Sequence, residues 1–75
     1  MIPLVFLREG EEAIVVGIYG GHGLVRRLTS MGIYPNVRIK LLKTRGLGPV
    51  VIEVGGTRIA LGFGVASKIY VRSLS

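Results

Sequence analysis

The sequence contains no cysteine, and its four acidic residues are all glutamates. Without cysteine the chain can form no disulfide, no thiolate nucleophile and no cysteine-type zinc site. His22 is the only histidine. A chain with one histidine, no aspartate and no cysteine cannot assemble a Ser-His-Asp or Cys-His catalytic set. We therefore predict that the protein is not an enzyme.

The sequence also lacks a long hydrophobic run. Its longest uncharged stretch, Ala13–Val25, is interrupted by four glycines and His22. A membrane-spanning helix needs about 20 mostly apolar residues. The N-terminal residues have no basic segment or cleavage site typical of a signal peptide. We therefore expect no membrane span and a cytoplasmic location.

Basic residues outnumber acidic ones by ten to four, which gives a net charge of +6 in a chain of 75 residues. A charge of this sign favours acidic partners such as an acidic protein surface or nucleic acid. Hydrophobic residues make up 49% of the chain, which excludes disorder. The length predicts one domain, residues 1–75.

The hydrophobic pattern predicts a mostly β protein with one short helix. Period-two alternation and β-branched runs predict several strands, whereas apolar residues at helical spacing predict a helix at Leu24–Met31 between the first two core strands. Arg8–Glu12 is expected to be a solvated charged turn. About five strands and one helix describe a small barrel. The predicted strands are Ala13–Tyr19, a strand beginning at Val37 and bent near Leu42, Val50–Val54, Thr57–Leu61 and a closing strand beginning at Ile69. Gly55 and Gly56 are predicted to form a two-residue hairpin turn between the third and fourth of these strands.

Two local signals flank the end of the predicted helix. Gly32 suits the left-handed residue that follows a helix, and a Schellman motif would then pack Ile33 against Leu28. In the next segment, Pro35 and Asn36 suit the second and third positions of a type II turn. Leu28, Gly32, Pro35 and Asn36 are therefore predicted to be structural.

His22 and the basic residues are the remaining candidates for a binding site. His22 is the only candidate metal ligand, and it has no second ligand nearby in the sequence. The glycines around it match neither the Walker nor the dinucleotide-binding pattern, so a plain strand-to-helix turn is favoured. Nucleic-acid barrels usually combine charge with exposed aromatic residues, and none is interleaved with the basic run from Arg38 to Arg45. A nucleic-acid-binding barrel is therefore an alternative, but not the favoured one.

The segment Arg27–Asn36 resembles the R-L-x-x-[LM]-G-[IL]-x-P-G signature of the FeoA family, the ferrous iron transport protein A group. The segments Val16–Gly21, Ile59–Leu61 and Ala66–Val71 are also similar to that family, so the resemblance covers almost the whole chain. Asn36 stands where the family usually has glycine, and both residues accept a positive φ.

This resemblance implies an SH3-like barrel that assists ferrous iron uptake in the cytoplasm, together with the FeoB-type membrane transporter. The exposed residues that flank the signature are then the candidates for binding this partner: Arg26, Arg27, Tyr34 and Arg38. The resemblance to the C-terminal module of iron-dependent repressors implies an alternative, a metal-sensing module. We expect that no cofactor is required and that Fe2+ or Zn2+ would be bound only transiently. In the metal-sensing alternative, the metal would be held between the subunits of a homodimer through His22 and carboxylates.

Overall fold

The structure is a computed structural model that describes all residues, 1–75. Short, regularly spaced apolar runs form strands, the segment with helical spacing forms the longer helix, and one further helical turn precedes the last strand. A single 3-10 turn, Leu4–Phe6, follows the first strand. The elements are strands β1 (Ile2–Pro3), β2 (Glu12–Ile18), β3 (Arg38–Lys43), β4 (Val50–Val54), β5 (Thr57–Leu61) and β6 (Ile69–Ser73), and helices α1 (His22–Ser30) and α2 (Phe63–Ala66).

All six strands form one antiparallel sheet in the order β1-β6-β2-β3-β4-β5. The register shifts in β3 between Leu41 and Lys43, where the alternation of apolar residues also slips in the sequence. A second shift occurs in β2 between Val15 and Gly17. Such irregularities bend strands, and the bends let a short sheet curve around its own core.

The core is one cluster of fifteen buried side chains, all of them hydrophobic. Strand alternation supplies most of them, because one face of each strand points inward. α1 contributes Leu28 and its C-terminal turn contributes Ile33. The cluster consists of Leu4, Leu7, Ala13, Val15, Leu28, Ile33, Ile39, Leu41, Val50, Ile52, Val54, Leu61, Ala66, Ile69 and Val71.

The mostly β fold with a helix between the first two core strands is confirmed, with differences at the element ends. The sheet has six strands where about five were expected, because Ile2–Pro3 pairs with β6. α1 begins at His22 and not at Leu24. Gly21 is the N-cap residue of α1, a position that accepts glycine, and Gly23 lies in the first turn. No helix has the length and apolar character required to cross a bilayer.

The charged segment Arg8–Glu12 forms the predicted turn, exposed at Arg8–Gly10 and closed by a 3.0 Å hydrogen bond from the N–H of Glu11 to the carbonyl of Arg8, but its carboxylates also make contacts that the sequence does not suggest. Glu12 is the first residue of β2, and Glu11 accepts hydrogen bonds from the hydroxyls of Ser73 and Ser75. Glu9 accepts a 3.1 Å hydrogen bond from the backbone N–H of Thr44. These contacts join residues far apart in the sequence, which is why the local pattern does not reveal them.

Candidate functional site

The segment that follows α1 is held by a Schellman motif. The N–H of Ile33 donates to the carbonyl of Leu28 at 2.9 Å, and the N–H of Gly32 donates to the carbonyl of Thr29 at 3.0 Å. Gly32 has a φ of +90°, and Leu28 and Ile33 are both fully buried. The predicted helix end is therefore confirmed, and it anchors the next turn to the core.

The next turn is fixed to strand β2 by its backbone. Asn36 has a φ of +76°, and the N–H of Val37 donates to the carbonyl of Tyr34 at 3.2 Å, as a type II turn requires. The N–H of Asn36 donates to the carbonyl of Val15 at 2.8 Å, and the N–H of Val15 donates to the carbonyl of Val37 at 2.8 Å. We call Gly32–Val37 the capping turn.

A surface depression lies between the capping turn and the β4–β5 hairpin, and we call it the central groove. It encloses about 710 Å³. Met31 and Tyr34 line it on one side, with exposed fractions of 36% and 46%. Gly55–Thr57 lines the other side, and Val37 and the first three residues of β3, Arg38–Lys40, also line it. The groove therefore combines partly exposed apolar and aromatic side chains with charged ones.

The charged side chains of the central groove lie on neighbouring strands. Arg38 donates a hydrogen bond to the carboxylate of Glu12 and forms an ion pair with it. This hydrogen bond from Arg38 lowers the pKa of Glu12. Lys40 lies opposite Glu12 on one side and opposite Glu53 on the other. Because Arg38 and Glu12 are both solvated, the ion pair orients the guanidinium more than it stabilises the fold.

The predicted partner-binding residues lie in two separate depressions. Tyr34 and Arg38 line the central groove, whereas Arg26 and Arg27 line a shallower depression on the exposed side of α1. All four side chains are exposed. The sequence analysis grouped these four residues as one candidate surface only because they are close along the chain.

Several residues of the central groove are not evident from the sequence alone. Met31 was assigned to the apolar face of α1, but α1 ends at Ser30 and Met31 is left partly exposed at the groove. Gly55 and Gly56 were correctly predicted to form a hairpin turn, with φ of +55° and +81°. Their position opposite the capping turn depends on the curvature of the sheet, for which the sequence carries no local signal.

His22 is exposed in the first turn of α1. The chain contains no group of three or more histidine, cysteine or acidic side chains that could hold a metal ion. The residues present therefore do not form a complete metal site within one chain, and we derive no chemistry through a bound metal.

The curved six-stranded sheet and its amphipathic groove define a small β protein of the SH3-like class. A family model described as the FeoA domain matches residues 2–73. A protein of Methanocaldococcus jannaschii, provisionally named Fe(2+) transport protein A, is 46% identical over 71 residues, which cover 95% of this chain and 85% of that protein. The chain belongs to the FeoA domain family, a family of ferrous iron transport proteins.

Solved structures agree with this assignment. A crystal structure of an iron uptake regulatory protein (FeoA) has a TM-score of 0.92 and 42% identity, with 97% of each chain covered. A zinc complex of Stenotrophomonas maltophilia FeoA, described as a procaryotic SH3 domain protein, has a TM-score of 0.82 and 22% identity, covering 96% of this chain and 91% of that one. A manganese-dependent transcriptional repressor in complex with manganese has a TM-score of 0.88 and 28% identity. That match covers 96% of this chain and 36% of the repressor.

Proposed function

We propose that this protein is a non-enzymatic accessory protein of ferrous iron uptake that binds the cytoplasmic part of a FeoB-type transporter through its central groove. The observation that carries the proposal is the position of the family signature. The C-terminal half of the signature forms the capping turn, and Tyr34 lines the central groove without being buried in the core. A partly exposed tyrosine and methionine beside an arginine are the residue types that anchor protein interfaces.

Charge and apolar contact have different roles in this proposal. Arg38 and the net charge of +6 steer the protein toward an acidic surface and mainly raise the association rate. Tyr34 and Met31 supply apolar area, which mainly slows dissociation. Added salt should therefore reduce the association rate constant more than it raises the dissociation rate constant.

The test measures binding of the purified cytoplasmic region of the cognate FeoB-type transporter by biolayer interferometry. Tyr34→Ser should weaken binding by about tenfold or more, as expected for an interface hot spot. Tyr19→Ser is the matched control, because Tyr19 is 59% exposed but lies outside the groove. Equal effects of both substitutions, or no binding by the unchanged protein at low salt, would refute the proposal.

A second candidate function is a metal-responsive regulatory module, favoured by the similarity to the manganese-dependent repressor. With His22 exposed and isolated, such a site would need ligands from a second subunit. Native mass spectrometry with Fe(II) or Zn(II) should then show a metal-dependent dimer that His22→Ala abolishes. An unchanged mass and melting temperature with either metal would exclude this candidate.

A further inference from the structure

Strand β5 is an uncovered edge of the sheet. It pairs only with β4, and its register is continuous over all five residues. The opposite edge is the two-residue strand β1, which contains Pro3. Proline and shortness protect an edge from added strands, and β5 has neither protection.

The register of the hairpin shows which backbone groups of β5 are free. A two-residue turn makes the flanking pair, Val54 and Thr57, hydrogen-bonded to each other. Hydrogen-bonded and non-hydrogen-bonded pairs alternate along antiparallel strands, and Arg58 and Ala60 belong to the non-hydrogen-bonded pairs. Their N–H and C=O groups therefore point away from β4. Neither residue makes a backbone hydrogen bond to any loop or turn, and both are exposed.

A ladder of alternating charges runs across the sheet and ends at this edge. Glu12 lies opposite Lys40, Lys40 lies opposite Glu53, and Glu53 lies opposite Arg58. Directly opposed residues share a face, so negative and positive side chains alternate over four strands. Arg58 is the last member, and it forms no ion pair within the chain. The next position of the ladder would lie on an added strand.

We propose that the β5 edge binds an extended acidic segment of a partner protein as an additional antiparallel strand. The segment places a carboxylate opposite Arg58 and an apolar side chain opposite Ala60, whose own side chain is small and exposed. In an antiparallel strand, the residue opposite Ala60 precedes the one opposite Arg58 by two positions. The recognised pattern is therefore apolar, any residue, acidic. Backbone hydrogen bonds provide the affinity and these two side chains provide the specificity.

A second copy of this chain is a poorer occupant of the same edge. Its β5, Thr57–Leu61, contains no carboxylate to lie opposite Arg58 in any register, and each copy has a net charge of +6. Like charges across paired strands are destabilising. Three members of the ladder, Glu12, Lys40 and Glu53, also line the central groove, whereas Arg58 and Ala60 lie outside it, and the binding of an acidic segment at β5 does not depend on the identity of the transporter.

The test uses a capped seven-residue peptide, Ser-Thr-Val-Thr-Glu-Thr-Ser, titrated into the 15N-labelled protein. Binding should shift the amide signals of Arg58 and Ala60 most strongly and should slow their hydrogen exchange. The amide of Ile59, already paired with β4, should change little. Ala60→Pro removes the outward-pointing backbone N–H of residue 60 without removing a hydrogen bond to β4, and it should abolish peptide binding. Circular dichroism should confirm that the variant folds.

A charge exchange tests the ladder itself. Arg58→Glu should weaken binding of the glutamate peptide by about two- to fivefold, the range for one cross-strand charge pair. The variant should bind a peptide with lysine in place of glutamate more tightly than it binds the glutamate peptide. Arg72→Glu is the matched control, because Arg72 is an exposed arginine on the inner strand β6. Equal effects of the two variants would overturn the proposal. So would peptide shifts that map elsewhere, no binding at millimolar peptide, or concentration-dependent self-association through β5.

Discussion

Replacement of Gly32 by valine probes the joint between α1 and the capping turn. Gly32 has a φ of +90°, where an ordinary L residue costs about 1–2 kcal/mol and a β-branched residue costs more. A Cβ at this position would lie 3.6 Å from Cγ1 of Val54, an ordinary contact. The backbone conformation, and not steric overlap, therefore sets the cost. Reduced freedom of the unfolded chain offsets part of it, about 0.4–1 kcal/mol for Gly→Ala.

We expect Gly32→Val to lose at least about 1 kcal/mol of unfolding free energy. For a chain of this size that loss lowers the melting temperature by about 4–8 °C, measurable by differential scanning calorimetry. Gly32→Asn should lose less, because asparagine tolerates the left-handed region. Gly23→Val is the matched control, since Gly23 is helical with nothing within 4 Å of its added Cβ. If both valine variants melt at the same temperature, the argument from the Schellman motif is wrong.

Three further predictions concern the core, the turn and the acid response. Leu28→Ala should lose about 2–5 kcal/mol in urea unfolding, because Leu28 is fully buried, and Leu28→Asp should not fold. Asn36→Gly should retain full stability while Asn36→Ala melts at a lower temperature, because only the alanine is strained at a φ of +76°. The backbone N–H of Arg8, with the Ser73 and Ser75 hydroxyls, lowers the pKa of Glu11 from 4.5 to about 2. The Glu11 carboxylate therefore stabilises the fold above the unfolded pKa, and this contribution is lost as pH falls toward 2. Glu11→Gln should be less stable at neutral pH and should lose less stability between pH 5 and pH 2, with urea titrations at several pH values as the measurement.

The helix end and the capping turn were predictable because each depends on residues adjacent in the chain. Gly32 and Asn36 are residue types that accept a positive φ, and both adopt one. The start of α1 was predicted two residues late, at Leu24, because glycine is normally a loop signal and its tolerance in a first helical turn carries no pattern of its own.

The candidate site was only partly predictable. Tyr34 and Arg38 were identified because they flank the signature, and both line the central groove. The hairpin side of that groove was missed, although the hairpin itself was correctly predicted. Glu12 was interpreted as part of a solvated turn, whereas it pairs with Arg38 across 26 residues of chain. Pairings at this separation have no periodicity for a single sequence to display.

By itself the sequence determined the β-rich architecture, the short helix with its glycine end, and the turn at Pro35. These depend on backbone preference and on alternation between core and solvent, which are local properties. Only the tertiary structure decided that the capping turn faces the β4–β5 hairpin across a groove, and that a ladder of alternating charges ends at a free edge. Both depend on the strand register and the curvature of the sheet, which arise when distant segments pack around one core.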